Sequence, residues 1–122
     1  MDKKTVFIIE DDTFLISAYQ IKFQKAGIEA LVATSGKEAL SYLEQESPAV
    51  ILLDLLLPEI SGFEILTAIR QNERWKKTPV LVLSNVSQQE EVEKIKALGI
   101  DGYLIKADTQ INEIVERVKK YF

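Results

Sequence analysis

Four carboxylates in this chain stand where an idle acid would be costly. Glu10, Asp11 and Asp12 follow directly on the apolar run Val6–Ile9, and Asp54 separates Val50–Leu53 from Leu55–Leu57. Acids at the start of a helix have a structural use, because negative charge favours the positive end of the helix dipole. That use accounts for one acid better than for three in a row. It does not account for Asp54, which its apolar setting penalises. Like charges held together raise one another's pKa and need compensation. A hard divalent cation with oxygen ligands is the natural compensator, and Mg²⁺ suits a few carboxylates, a carbonyl and retained waters. Ser84 follows the apolar run Val80–Leu83, and Lys106 follows Tyr103–Ile105. A lysine alone is weak evidence, since most are solvated surface charge. A hydroxyl, an ammonium and an acid cluster at four corresponding places are harder to assign to accident.

The elements that must position these groups alternate along the chain. Val6–Ile9, Ala30–Ala33, Val50–Leu53, Val80–Leu83 and Tyr103–Ile105 are short continuous apolar runs, the pattern of strands buried on both faces of a parallel sheet. Helical periodicity lies between them. Leu15, Ala18, Tyr19, Lys22, Phe23 and Ala26 share one face, and Gly27 stops the run. Ser35-x-x-Glu38, Ser61-x-x-Glu64 and Ser87-x-x-Glu90 are capping boxes that open three further helices, the first of them ended by Pro48. A last helix is predicted to start near Asp108 or Thr109 and to carry Ile111, Ile114, Val115 and Val118. Five βα units in succession imply one doubly wound α/β domain, a (βα)5 three-layer sandwich. Parallel strands need crossover connections, and these are right-handed. With strand order 2-1-3-4-5, ligands bind beyond the carboxyl ends of the strands, between the first strand and the third. Glu10, Asp11, Asp12 and Asp54 fall around that crevice, and Ser84 and Lys106 are expected to point toward it.

Composition narrows the chemistry further. The chain has 122 residues, 47% of them hydrophobic and 28% charged, which fits one globular domain and argues against disorder. It has no Cys, which excludes a disulfide scaffold, a thiolate zinc site and a Cys nucleophile. It has no His, which excludes a Ser-His-Asp triad, a His metal ligand and a phosphohistidine on this chain. A net charge of −4 argues against a nucleic-acid surface. The longest apolar stretch, Ala49–Leu57, is broken by Asp54 and falls short of the roughly 20 residues of a membrane span. The charged start and Thr5–Ile9 are followed at once by three acids, unlike a signal peptide, so a cytoplasmic protein with no membrane partner is expected.

Taken in order, these pieces resemble the receiver domain of two-component response regulators, with the CheY-like, flavodoxin-like fold. The resemblance rests on Ile9-Glu10-Asp11-Asp12, on Leu53-Asp54 with Pro58 and Gly62 downstream, on Ser84, and on Gly102-Tyr103-Leu104-Ile105-Lys106. It spans Val6 to about Val118. It implies a phosphorylation-activated signalling switch, not an enzyme acting on other substrates. Asp54 would be the phosphoacceptor. Asp11, Asp54 and the main-chain carbonyl of Leu56 would bind Mg²⁺ directly, and Glu10 would act on it through water. Lys106 and Ser84 would bind phosphoryl oxygens, and Ser84 and Tyr103 would form the switch pair. Asp12 lies one position beyond the family's acidic pair and is expected to cap the first helix. The donor would be a sensor histidine kinase or a phosphotransfer protein. A downstream protein would bind the face of the fourth helix, fifth strand and fifth helix. Residues 1–122 would be a single receiver domain without an output domain.

Some positions depart from the common pattern. Ala107 follows Lys106 where a proline preceded by a cis bond is usual, so a trans bond and a differently shaped loop are expected. Asn85 follows Ser84 where a small residue is usual, and it would hinder the approach of a phosphoryl donor or add a hydrogen bond. Leu56 and Val86 are apolar where the family tunes hydrolysis of the acyl phosphate, which predicts a long-lived phosphorylated state. Trp75 is expected to cover the sheet edge with its indole N–H facing water. The competing reading is a phosphorylation-independent adaptor on the same fold. A phosphatase would lack a substrate cap. A P-loop would need a glycine where Leu31 stands, and a flavodoxin would need amide donors where the acids crowd.

Overall fold

The computed structural model describes residues 5–45, 47–85 and 89–122. Each apolar run forms a strand, and each is followed by a helix that returns the chain to the start of the next. The order is β1 (Thr5–Ile9), α1 (Thr13–Lys25), β2 (Glu29–Ala33), α2 (Gly36–Gln45), β3 (Val50–Asp54), α3 (Gly62–Gln71), β4 (Val80–Ser84), α4 (Gln89–Ala97), β5 (Gly102–Ile105) and α5 (Ile111–Lys119). The strands form one parallel sheet in the order β2-β1-β3-β4-β5, as expected. β1, β3 and β4 are buried along their whole length, whereas the edge strand β5 is half-buried.

Successive side chains of a strand face opposite ways, so each central strand feeds two cores. Phe7, Ile9, Ile51, Leu53, Val80 and Val82 pack with α2, α3 and α4 through Leu43, Ile65, Ile69 and Ile95. Val6, Ile8, Val50, Leu52, Leu81 and Leu83 pack with α1 and α5 through Tyr19, Phe23, Ile114, Val115 and Val118. The helix starts follow local chemistry. Asp12 Oδ1 accepts the amides of Phe14 and Leu15, and Ser61 Oγ accepts that of Glu64. Ser35 Oγ accepts the Glu38 amide while Glu38 reaches back to Thr34, one residue before the expected partner. Gly27 takes a left-handed φ of 76° just past α1. Ser87 and Val86 lie outside the described residues.

Two expectations are corrected. The last helix begins at Ile111, because Lys106–Asp108 forms a 3₁₀ turn and Thr109 and Gln110 are extended. The Thr109 hydroxyl donates to the Ile105 carbonyl at 2.8 Å and holds that turn. Trp75 is buried in the α2–α4 core, and its indole Nε1 has no hydrogen-bond partner among the described residues. Arg70 binds the carbonyls of Trp75, Lys76 and Thr78, so this segment folds over the core and turns the ring inward.

Candidate functional site

The phase of the strands decides which end residues meet. On β1 the side chains of Val6 and Ile8 face α1 and α5, and Glu10 continues that alternation. Val50 and Leu52 on β3 lead to Asp54 in the same way, and Leu104 on β5 leads to Lys106. Three chain segments thus bring their functional groups to one side of the sheet. Lys106 spans the end of β4 to reach both acids. Its Nζ lies 2.7 Å from Glu10 Oε1 and donates to Asp54 Oδ2 at 3.0 Å. Ser84 has the opposite phase. It follows Val82 toward the α2–α4 side, where Tyr103 also packs, and the two side chains share a hydrogen bond. Ser84, expected to point toward the crevice, stands beside the Tyr103 hydroxyl.

Charge is the governing property of this pocket. Glu10 and Asp54 are buried, and Asp11 is exposed at the mouth. Burial, reinforced by the neighbouring Asp54 and opposed by Lys106, holds the Glu10 carboxyl up at about 7 against its ordinary 4.5. Burial disfavours the Lys106 ammonium, but its hydrogen bonds to Glu10 and Asp54 outweigh that and raise its pKa. The remaining acceptors are aimed by the backbone. Glu10 Oε2 takes the amides of Asp11 and Asp12, and Asp54 Oδ1 takes that of Leu56 at 3.1 Å. Asp12 turns away to cap α1.

Glu10, Asp11 and Asp54 each offer a carboxylate oxygen, and these oxygens lie within 4.8 Å of one another. All are hard oxygen donors, and two of the three carboxylates are buried beside a single ammonium. Both properties suit Mg²⁺. The loop after Asp54 is held by close packing. A Cβ on Gly62 would lie 2.4 Å from Leu55 Cα and 2.8 Å from the Asp54 carbonyl oxygen, so only glycine lets α3 approach this closely. Leu56, 62% exposed, presents an apolar side chain at the mouth.

Tyr19, which helical spacing places on one face of α1, is a further neighbour of these acids. Burial, with the charge of Glu10 nearby, pushes its hydroxyl up to about 12. Its place on the buried face of α1 was legible; its proximity to the acids was not. Asn85 is exposed, and its Oδ1 accepts the Ala107 amide at 2.9 Å, the added hydrogen bond that was one of its two expected roles. Every peptide bond among the described residues is trans, Lys106–Ala107 included.

Comparison with known proteins extends over nearly the whole chain. A model of the response regulator receiver domain matches residues 6–119. The polar-differentiation response regulator DivK of Brucella ovis is 28% identical over 118 residues, 97% of this chain and 95% of that protein. The alkaline phosphatase synthesis transcriptional regulatory protein PhoP of Bacillus subtilis is 31% identical over 121 residues, 98% of this chain and 48% of that regulator. The structure of the chemotaxis protein CheY4 of Vibrio cholerae superposes with a TM-score of 0.89 at 26% identity, covering 99% of this chain and 100% of that one. With the strand order, the acid pocket and the family match in agreement, the chain belongs to the response regulator receiver domain family.

Proposed function

We propose that this receiver domain is a signalling switch that accepts a phosphoryl group on Asp54 and changes its partner-binding surface in response. The observation that carries the reading is the bridge from the Lys106 ammonium to both buried acids, with the Asp11 carboxylate within ligand distance of the same pair. Phosphoryl transfer asks a protein for positioning and charge neutralisation more than for covalent chemistry. In the transfer, an Asp54 oxygen forms the new O–P bond as the donor's bond to phosphorus breaks, and that electron pair leaves with the donor. A phosphohistidine of a sensor kinase or a phosphotransfer protein fits as donor, its imidazole leaving as the neutral ring after taking a proton. Lys106 balances charge on the acceptor and on a phosphoryl oxygen. Glu10, Asp11, Asp54 and the Leu56 carbonyl would hold Mg²⁺, which supplies the further positive charge that lets two anions approach.

Ser84 and Tyr103 form the second half of the reading. Phosphorylation adds charge and strong acceptors at Asp54. Ser84 would leave Tyr103 to bind a phosphoryl oxygen, and Tyr103 would then repack along β5. Such a two-state pair couples a local charge change to a distant face. The face formed by α4, β5 and α5 is the candidate for partner binding. Ile95, Ile114 and Val115 on it are core, whereas Val92 and Ile111 are half-buried and remain open to contact.

The test is intact mass after incubation with acetyl phosphate and MgCl₂. One added phosphoryl group is expected, absent from Asp54→Asn and dependent on Mg²⁺. No added mass, together with no NMR response to beryllofluoride, would overturn the reading in favour of a phosphorylation-independent adaptor.

A further inference from the structure

Lys106 reaches two acids from the end of an edge strand, and a long side chain is only as well placed as its backbone. β5 pairs with β4 alone, and its register ends at Ser84↔Ile105. Beyond that pair the chain turns through Lys106–Asp108. The hydrogen bond from the Thr109 hydroxyl to the Ile105 carbonyl is local and does not fix this turn against the sheet. The Ala107 amide does. It donates to Asn85 Oδ1 at 2.9 Å, across 22 residues, and so extends the β4–β5 ladder by one side-chain bond past the last register pair. The donor is the amide next to Lys106, and the acceptor belongs to the residue next to Ser84.

We infer that Asn85 is a positioning residue for Lys106. It acts through the Ala107 amide, holding the ammonium on Glu10 and Asp54. The two departures noted in the sequence, Asn85 after Ser84 and Ala107 after Lys106, then form one device: Ala107 provides an N–H that proline lacks, and Asn85 provides its acceptor. The consequence for phosphoryl transfer rests on the reading of Asp54 as acceptor; the consequences for the amide and for cation binding do not.

A positioning role and a general structural role predict opposite results. Lys106 and Mg²⁺ compete for the same carboxylates, so releasing Lys106 should favour the cation. In Asn85→Ala, hydrogen exchange of the Ala107 amide should accelerate. MgCl₂, titrated by NMR, should bind about three- to tenfold more tightly, the span that one neutral hydrogen bond supplies. Phosphorylation by acetyl phosphate should slow by a similar factor. In a Lys106→Met background, Asn85→Ala should leave Mg²⁺ affinity unchanged, because the group it positions is gone. Unprotected Ala107 exchange in the wild type would overturn the inference. So would unchanged or weaker Mg²⁺ binding in Asn85→Ala, or an equal effect in both backgrounds. If the wild type accepts no phosphoryl group, the proposed function fails while the exchange and Mg²⁺ measurements still decide the role of Asn85.

Discussion

Replacing Lys106 with Met should unmask the repulsion that its ammonium now neutralises. The ammonium lies 2.7 Å from Glu10 Oε1 and 3.0 Å from Asp54 Oδ2, and the three side chains are 17%, 3% and 5% exposed. Removing one partner from such a buried pair costs about 3–5 kcal/mol. Proton uptake decides where in that span the loss falls. The Glu10 carboxyl titrates at about 7 in the folded protein against an ordinary 4.5, so between those values the folded state holds a proton that the unfolded chain has lost. Stability therefore falls as pH rises through that window. Without Lys106 the proton is held to higher pH, so the loss should be smallest near about pH 5 and largest near about pH 8. A loss of about 3 kcal/mol lowers a urea midpoint by about 1.5–3 M at an m-value of about 1–2 kcal/mol/M. The assay is urea unfolding followed by far-UV circular dichroism, in EDTA and in MgCl₂. Added at about a hundred times its Kd, MgCl₂ should return about 2.7 kcal/mol. An unchanged midpoint in EDTA near about pH 8, or an equal loss at both pH values, would refute the view of Lys106 as counter-charge to two buried acids.

Asp12→Ala should lower stability by about 1 kcal/mol through loss of the α1 cap, while Mg²⁺ affinity measured by NMR titration stays at the wild-type value. Asp11→Ala should do the reverse, weakening Mg²⁺ binding with little change in the thermal midpoint. Gly62→Ala should cost about 1–3 kcal/mol in urea unfolding, because the added methyl meets backbone at Leu55 and Asp54, and on the proposed reading it should slow phosphorylation by moving Asp54. Leu56→Gln should shorten the lifetime of the phosphorylated protein severalfold, followed by mass spectrometry after removal of the donor, since a polar side chain at the mouth admits water. An unchanged lifetime would mean that Leu56 is not the cover.

Local chemistry was legible wherever a few adjacent residues decide the outcome. Five continuous apolar runs specify parallel strands, buried along their whole length in β1, β3 and β4, because only crossover connections let such strands pair. The caps at Asp12, Ser35 and Ser61 follow from hydroxyl or carboxylate groups standing before orphan amides. Gly27 ends α1 because it tolerates a left-handed backbone. The end of each strand, and therefore the level at which Glu10, Asp54, Ser84 and Lys106 lie, is set by where each apolar run stops.

Which of these groups meet depends on strand phase, on register across neighbours and on loop paths, and none of these is local. Alternation sends Glu10, Asp54 and Lys106 to the α1–α5 side and Ser84 to the other, yet a continuous apolar run carries no mark of which face each helix will cover. Lys106 meets Asp54 across 52 residues because β4 and β5 pair in one register, and a shift by a single residue would reverse every side chain. Trp75 went inward because Arg70 grips the carbonyls around it, and a 3₁₀ turn closed by Thr109 delayed α5 to Ile111. The chain by itself determined the strands, the helix starts and the residue types at the crevice, since neighbouring atoms settle those. Only the tertiary structure decided the partners of each charge, because a charge's partners come from segments that meet only when the sheet is assembled.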